Sequence, residues 1–325
     1  MPKKHHATEQ ITEHTPSSSI TTIKSNDITW INIINPDDEE IKYLQDKFAF
    51  HPLDLKDAYI SKKAQRPQVS VRPDYVFLVF LFPVYNRQTR EIFPAEVDFF
   101  IGKNFIITLH DNQLIGLVDF FKNCQNYEYY RDLYLSQGPI FLLYQILDRL
   151  FNNCLPMLDH IGEDNLNIEK QIFKGREREM VKEILIIKRN IVNFRTIMQS
   201  HRTIIRRLME VDSPNLSFKN YRTHYEKLLT YTKDIWEILE NHKETIDALQ
   251  ETNESSISFR LNDIMKTLTI ISVIFLPLTL VASIFGMNIA VMPFADHPQG
   301  FWIIMASMLG MSLLMLFYFK YKKWL

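Results

Sequence analysis

Two stretches near the end of this 325-residue chain carry no charged residue: "TLTIISVIFLPLTLVASIF" from Thr267 to Phe285 and "FWIIMASMLGMSLLMLFYF" from Phe301 to Phe319. As helices, each would be about 28 Å long, close to the roughly 30 Å hydrocarbon layer of a bilayer. A core helix of a soluble protein keeps a polar face, and neither run has one. Both are therefore expected to span a membrane. Arg260 and Lys266 precede the first run, Lys320, Lys322 and Lys323 follow the second, and the link between them holds only Asp296 and His297. Basic flanks stay on the cytoplasmic side, so both termini are expected there, with a short external loop over 289–300. Trp302, Tyr318, Tyr321 and Trp324 fall where interfacial aromatics belong. A two-helix hairpin encloses no water-filled path, so a pore would require several copies around an axis.

The rest of the chain is polar. Its formal net charge of −1 gives no reason to expect a nucleic-acid partner. Cys124 and Cys154 have no second Cys or His at ligand spacing and read as buried free thiols in a reducing compartment. Residues 1–27 lack an apolar core and read as a disordered leader in which His5 and His6 are solvated, not as a secretory signal. From 28 to 137 strand and helix patterns mix. "ITWINII", "PQVSVRP", "DYVFLVFLFPVYN", "EIFPAEVDFFIG" and "NFIITLH" read as strands, and "DDEEIKYLQDKFAF" and "HPLDLKDAYI" as helices. The acidic run Asp37 to Glu40 suits a helix N-terminus. This predicts an α+β cytoplasmic domain, a mixed sheet with flanking helices.

From Gly138 to 264 apolar residues recur every three and four positions, which predicts long stalk helices. One is expected over "IFLLYQILDRLFNNCLPMLDHIGEDNLNIEKQIF" and one over "EMVKEILIIKRNIVNFRTIMQSHRTIIRRLMEV". The third begins near Tyr221, meets no strong breaker and runs into the first span; continuous to Phe285, it would be on the order of 100 Å long. There is no Gly-rich phosphate loop, nucleophile elbow or zinc-protease spacing, so neither an ATP-driven pump nor an enzyme is expected, and no organic cofactor is implied.

The first span closes on Phe285-Gly286-Met287-Asn288, "MP" follows in the loop, and the second closes on "FKYKKWL". With "MKTLTIISVIFLPLTLVASIFGMN", these residues resemble the CorA family of magnesium channels, over about residues 28–325. The family's signature is usually Tyr-Gly-Met-Asn, and Phe285 stands where the Tyr does. The resemblance implies a funnel-shaped homopentamer in a bacterial inner membrane, with 265–288 lining the pore, 301–319 around it, and 320–325 as a basic cytoplasmic tail. It implies passive influx of Mg2+, with Co2+ and Ni2+ as further substrates, through a mouth of Gly286, Met287 and Asn288. Met265, Leu268, Leu276 and Thr279 are the other pore-facing positions it implies. Ser272 and Ser283 share that helix face by their spacing, and packing between helices would use the same small hydroxyls. Mg2+ sheds its water reluctantly, so neutral Asn carbonyls that accept hydrogen bonds from bound waters suit both selection and release. Gly286 reads as a left-handed helix stop, and Pro277 frees the carbonyl of Val273.

The family also holds regulatory Mg2+ between subunits on acidic side chains, and here the match frays. Asp57 in "HPLDLKDA" keeps one acid, Lys56 stands where Glu is frequent, and Thr223 in "YRTHYEKL" stands where Asp does. Closure by cytosolic Mg2+ is thus expected with lower affinity or through other acids such as Asp54. Lys266, Lys320, Lys322 and Lys323 resemble a basic collar at the cytoplasmic exit, and they also suit anionic lipid. Two alternatives are a Zn2+ transporter of the ZntB type, against which Met287 argues, and a membrane-anchored coiled scaffold without transport.

Overall fold

The computed structural model describes residues 19–59, 67–287, 298–322 and 324. The proposals for His5, His6, the external loop with Asp296 and His297, Asn288 and Lys323 lie outside these residues.

Six strands form one mixed sheet in the order β1-β2-β6-β5-β4-β3. They are β1 (Ile20–Ser25), β2 (Ile28–Ile34), β3 (Gln68–Val71), β4 (Tyr75–Asn86), β5 (Glu91–Gly102) and β6 (Phe105–His110). All neighbours are antiparallel except β2 and β6, which run parallel from Thr29 opposite Phe105 to Ile34 opposite His110. β4 is buried on both faces from Tyr75 to Pro83, which is why its sequence is a continuous apolar run and not an alternating one. β1 corrects the expected leader. Ile20, Thr21, Thr22 and Ile23 are β-branched, and a two-residue turn at Asn26-Asp27, with Asn26 at φ 50, folds them back onto β2.

One face of the sheet is covered by α1 (Asp38–Phe48) and α2 (Pro52–Ala58). Ile31, Ile33, Val79, Phe100, Ile107 and Leu109 pack there with Leu44, Phe50, Leu55 and Ala58. α1 opens with a capping box: the Asp37 carboxylate accepts from Glu39 N, and Glu40 accepts from Asp37 N at 2.9 Å. The opposite face meets α3 (Ile115–Asn126), α5 (Pro139–Asn152) and α8 (His201–Glu210). Trp30 sits 4.9 Å from Phe121, and Phe82 packs on Phe151 and on the His201 ring. The Trp30 indole donates to Thr108 Oγ1, which donates to Asn32 Oδ1, so these three buried polar groups satisfy one another. α4 (Glu128–Leu135) lies between α3 and α5 in the chain.

The two long helices expected before residue 211 are each divided. The first is α5 followed by α6 (Leu155–Phe173), because Pro156 cannot donate inside a continuous helix but is tolerated in a first turn. The second is α7 (Glu177–Met198) followed by α8. The third is unbroken: α9 runs from Arg222 to Phe285, 64 residues, and α10 covers Gly300–Tyr321. The described residues divide into two compact units, one of those within 19–171 and 179–249, the other of those within 172–178 and 250–324. Cys124 and Cys154 are free and buried; burial pushes the Cys124 thiol up to about 12, which leaves it inert.

Candidate functional site

The C-terminal part of α9 and all of α10 are long and apolar enough to cross a membrane, and almost none of their surface is buried within the chain. Met265, Leu268, Ser272, Leu276, Thr279 and Ser283 are all exposed on α9. At 3.6 residues per turn they fall within an arc of about 80° on one side of the helix. Ser272 Oγ donates to Leu268 O at 2.9 Å, and Thr279 Oγ1 donates to Phe275 O at 2.9 Å. The hydroxyl hydrogens are thereby used by the helix itself.

Gly286 differs from the expectation. Among the described residues the glycines in the left-handed region are Gly138 and Gly175, and Gly286 is not one of them. The helix instead closes by tightening: Gly286 N donates to Ala282 O at 2.9 Å and Ser283 O at 3.2 Å, and Met287 N to Ile284 O. A Cβ at Gly286 would stand 3.2 Å from Ala282 O, so the closeness of the backbone is what suits glycine here. Met287 is exposed, and Asn288 begins the stretch outside the described residues. Lys266 is half-buried, and Lys320 and Lys322 are exposed at the end of α10.

The second group of candidates sits on α2, whose N-cap His51 accepts from Leu53 N through Nδ1 and whose first turn begins with Pro52. Asp54 is buried, and both of its oxygens are committed. Arg72 donates to them at 2.9 and 2.7 Å, and the Tyr75 hydroxyl donates to Oδ2 at 2.7 Å. Burial pushes the Tyr75 phenol up to about 12, so it stays a donor. The same hydroxyl accepts from His51 N at 2.8 Å, which ties the start of α2 to β4. Asp54 therefore positions the helix and is not free to take up a cation unless it gives up Arg72.

Asp57, one turn on, is half-buried and accepts from Gln68 Nε2 at 2.8 Å, while Lys56 beside it is exposed. Thr223 is exposed in the first turn of α9. Among the described residues no cluster of three or more His, Cys, Asp or Glu side chains could hold a metal ion. Asp57 and Thr223 thus do not make a complete cation site within one chain.

Sequence reasoning missed the supports of this region. Arg72 reaches back across eighteen positions to Asp54, with no local pattern to mark it. Asp98 was legible by strand parity. It shares a face with Phe100, which points into the core under α1 and α2. It is fully buried, and neither carboxyl oxygen has a partner among the described residues. Burial, then the nearby Glu96 and Asp57, hold its carboxyl well above the usual carboxylate range.

Known proteins resemble the chain throughout. It is 30% identical to the cobalt/magnesium transport protein CorA of Thermotoga maritima over 298 residues, which cover 91% of this chain and 83% of that one. Its fold superposes with TM-score 0.81 on the complete structure of the CorA magnesium transporter from Methanocaldococcus jannaschii, at 23% identity and 94% coverage of both chains. The ZntB cytoplasmic domain from Vibrio parahaemolyticus is a more distant likeness of fold, with TM-score 0.53 and 14% identity, covering 71% of this chain and 88% of that one. The family described as CorA-like Mg2+ transporter protein matches residues 25–322, and with the two membrane-crossing helices in place the chain belongs to that family of membrane transport proteins.

Proposed function

We propose that the chain assembles as a homopentamer and carries Mg2+, with Co2+ and Ni2+ as secondary substrates, passively into the cell across a bacterial inner membrane. Both termini then lie in the cytoplasm, as the basic flanks of the two spans require. The observation that carries this reading is α9 itself, an uninterrupted helix whose apolar end is exposed in the single chain and closes on Phe285-Gly286-Met287 next to Asn288. Copies arranged around an axis would cover that exposed side and leave Met265, Leu268, Ser272, Leu276, Thr279 and Ser283 facing the path. At the mouth, a ring of Asn288 carbonyls accepts hydrogen bonds from waters that the cation keeps. Deeper in, the Met265, Leu268 and Leu276 rings form apolar constrictions that stop flow by losing water.

Regulation by Mg2+ on the cytoplasmic side would fall to Asp57 of one copy and the Thr223 region of its neighbour. One carboxylate and one hydroxyl hold Mg2+ more weakly than two acids, largely through its water shell. Lys266, Lys320, Lys322 and Lys323 form a positive collar at the exit, which slows cations leaving and favours anionic lipid.

Flux into proteoliposomes tests the proposal. Asn288→Ala is expected to abolish Mg2+ uptake while the oligomer's mass is unchanged. Unaltered uptake would remove the amide ring from the mechanism, and an absence of any uptake by the parent protein would favour a membrane-anchored scaffold. Running Zn2+ beside Mg2+ separates this reading from a ZntB-like one.

A further inference from the structure

The short turn between α6 and α7 belongs to the same compact unit as the two apolar helices. Its sequence, Ile172-Phe173-Lys174-Gly175-Arg176-Glu177-Arg178, contains three cations and one carboxylate. Gly175 turns the chain at φ +81, a conformation that favours glycine. Arg260 on α9 fixes the turn. Its Nη1 donates to Gly175 O at 3.1 Å and lies 2.9 Å from Glu177 Oε2, a charge contact and not an aligned hydrogen bond. Glu177 is buried, so the turn's single carboxylate is neutralised internally. Lys174, Arg176 and Arg178 are exposed and form no ion pair among the described residues. Phe173 is exposed to 75%, a large ring left in water beside three cations.

Arg260 lies seven residues before Thr267, where the charge-free run begins, and so about 10 Å along the helix from the hydrocarbon edge. A headgroup layer is roughly 5–8 Å deep on each side, and Lys and Arg side chains span the difference. We infer that the α6–α7 turn docks on the headgroups of the membrane that the chain itself crosses. Lys174, Arg176 and Arg178 bind anionic phosphates, and Phe173 enters the interface. The occupant is a lipid surface because the patch is cationic, sits at interfacial depth and carries one aromatic, which is the composition of an interfacial anchor. The neighbouring charges are mixed: Glu179 follows on α7, and Asp263 and Lys266 lie between Arg260 and the span. The inference rests on the membrane spans and not on which ion is carried.

The test uses the full-length protein in nanodiscs, with Phe173→Cys carrying an environment-sensitive dye, since Cys124 and Cys154 are buried. Quenching by headgroup nitroxide lipid is compared between pure phosphatidylcholine and discs containing phosphatidylglycerol. Quenching is expected to rise with phosphatidylglycerol and to fall with salt. Replacing Lys174, Arg176 and Arg178 with Gln in turn should reduce the docking equilibrium about fivefold per cation. Hydrogen exchange of the unlabelled parent at residues 170–180 should show protection in the anionic discs alone. The salt series and the exchange measurement need no variant, so a substitution that impairs folding does not blunt the test. Equal quenching in both lipids, unmoved by salt, overturns the inference. So does protection that persists in lipid-free detergent oligomers, which would identify a second copy of the chain as the occupant.

Discussion

Asp54 and Asp57 stand three residues apart on one short helix and serve different ends. Asp54 is enclosed by the Arg72 fork and the Tyr75 hydroxyl, so it organises the helix. Asp57 is half-buried at the end of the same helix and accepts from Gln68. In proteoliposome flux, Asp57→Ala is expected to abolish the dependence of closure on cytosolic-side Mg2+ without reducing uptake at low Mg2+. An unchanged dependence would make it an ordinary surface acid. His201 raises a separate matter at the same scale. It is fully buried among the Phe80, Phe82 and Phe151 rings, and burial lowers its pKa to about 4; His110 is lowered to about 4 by the same cause. Each is neutral when folded and takes a proton when unfolded below the ordinary value near 6.5. Stability is therefore greatest above about pH 6.5 and is lost as pH falls toward 4, by roughly 3 kcal/mol per histidine at most. Unfolding midpoints of the detergent-solubilised protein over that range should fall less steeply for His201→Leu than for the parent.

At the scale of elements, α9 is the connection to probe. Ser255 is exposed in its middle, where nothing but the backbone ladder is disturbed by substitution. Ser255→Pro removes the bond to Glu251 O and costs about 3 kcal/mol or more of helix. Uptake should persist with the oligomer intact, while its response to cytosolic-side Mg2+ is weakened. The continuity of α9 was legible because no Gly or Pro interrupts 222–276 and the one Pro inside, Pro277, falls in the apolar part. Lipid and neighbouring helices tolerate a freed carbonyl there. The divisions between α5 and α6 and between α7 and α8 were harder to read. Pro156 marks the first, but apolar periodicity carries through it, and "QS" at 199–200 marks the second with no strong breaker. β1 was overlooked because a short edge strand, polar on one side, resembles a solvated leader until its partner is known. The candidate site was readable in its motif and its helix face. Its supports Arg72 and Tyr75 reach Asp54 from eighteen and twenty-one positions away, and sequence distance hides such contacts.

For the molecule as a whole, the exposed apolar helices are the governing fact, since one copy leaves their surface for lipid and neighbours to cover. Mass measurement of the detergent-purified protein is expected to give five copies, and dissociated single chains should show no flux after reconstitution. Flux from single chains would place the path inside one subunit, against the two-helix count. Within such an assembly, the bonds of Ser272 and Thr279 to their own helix bear on the sign of the charge that passes. With its hydrogen committed inward, each oxygen presents only lone pairs to the lumen. Water around a cation turns hydrogens outward, whereas water around an anion turns lone pairs outward. Such a wall greets the first shell and repels the second, so polarity alone would exclude anions without any ionised side chain in the lining.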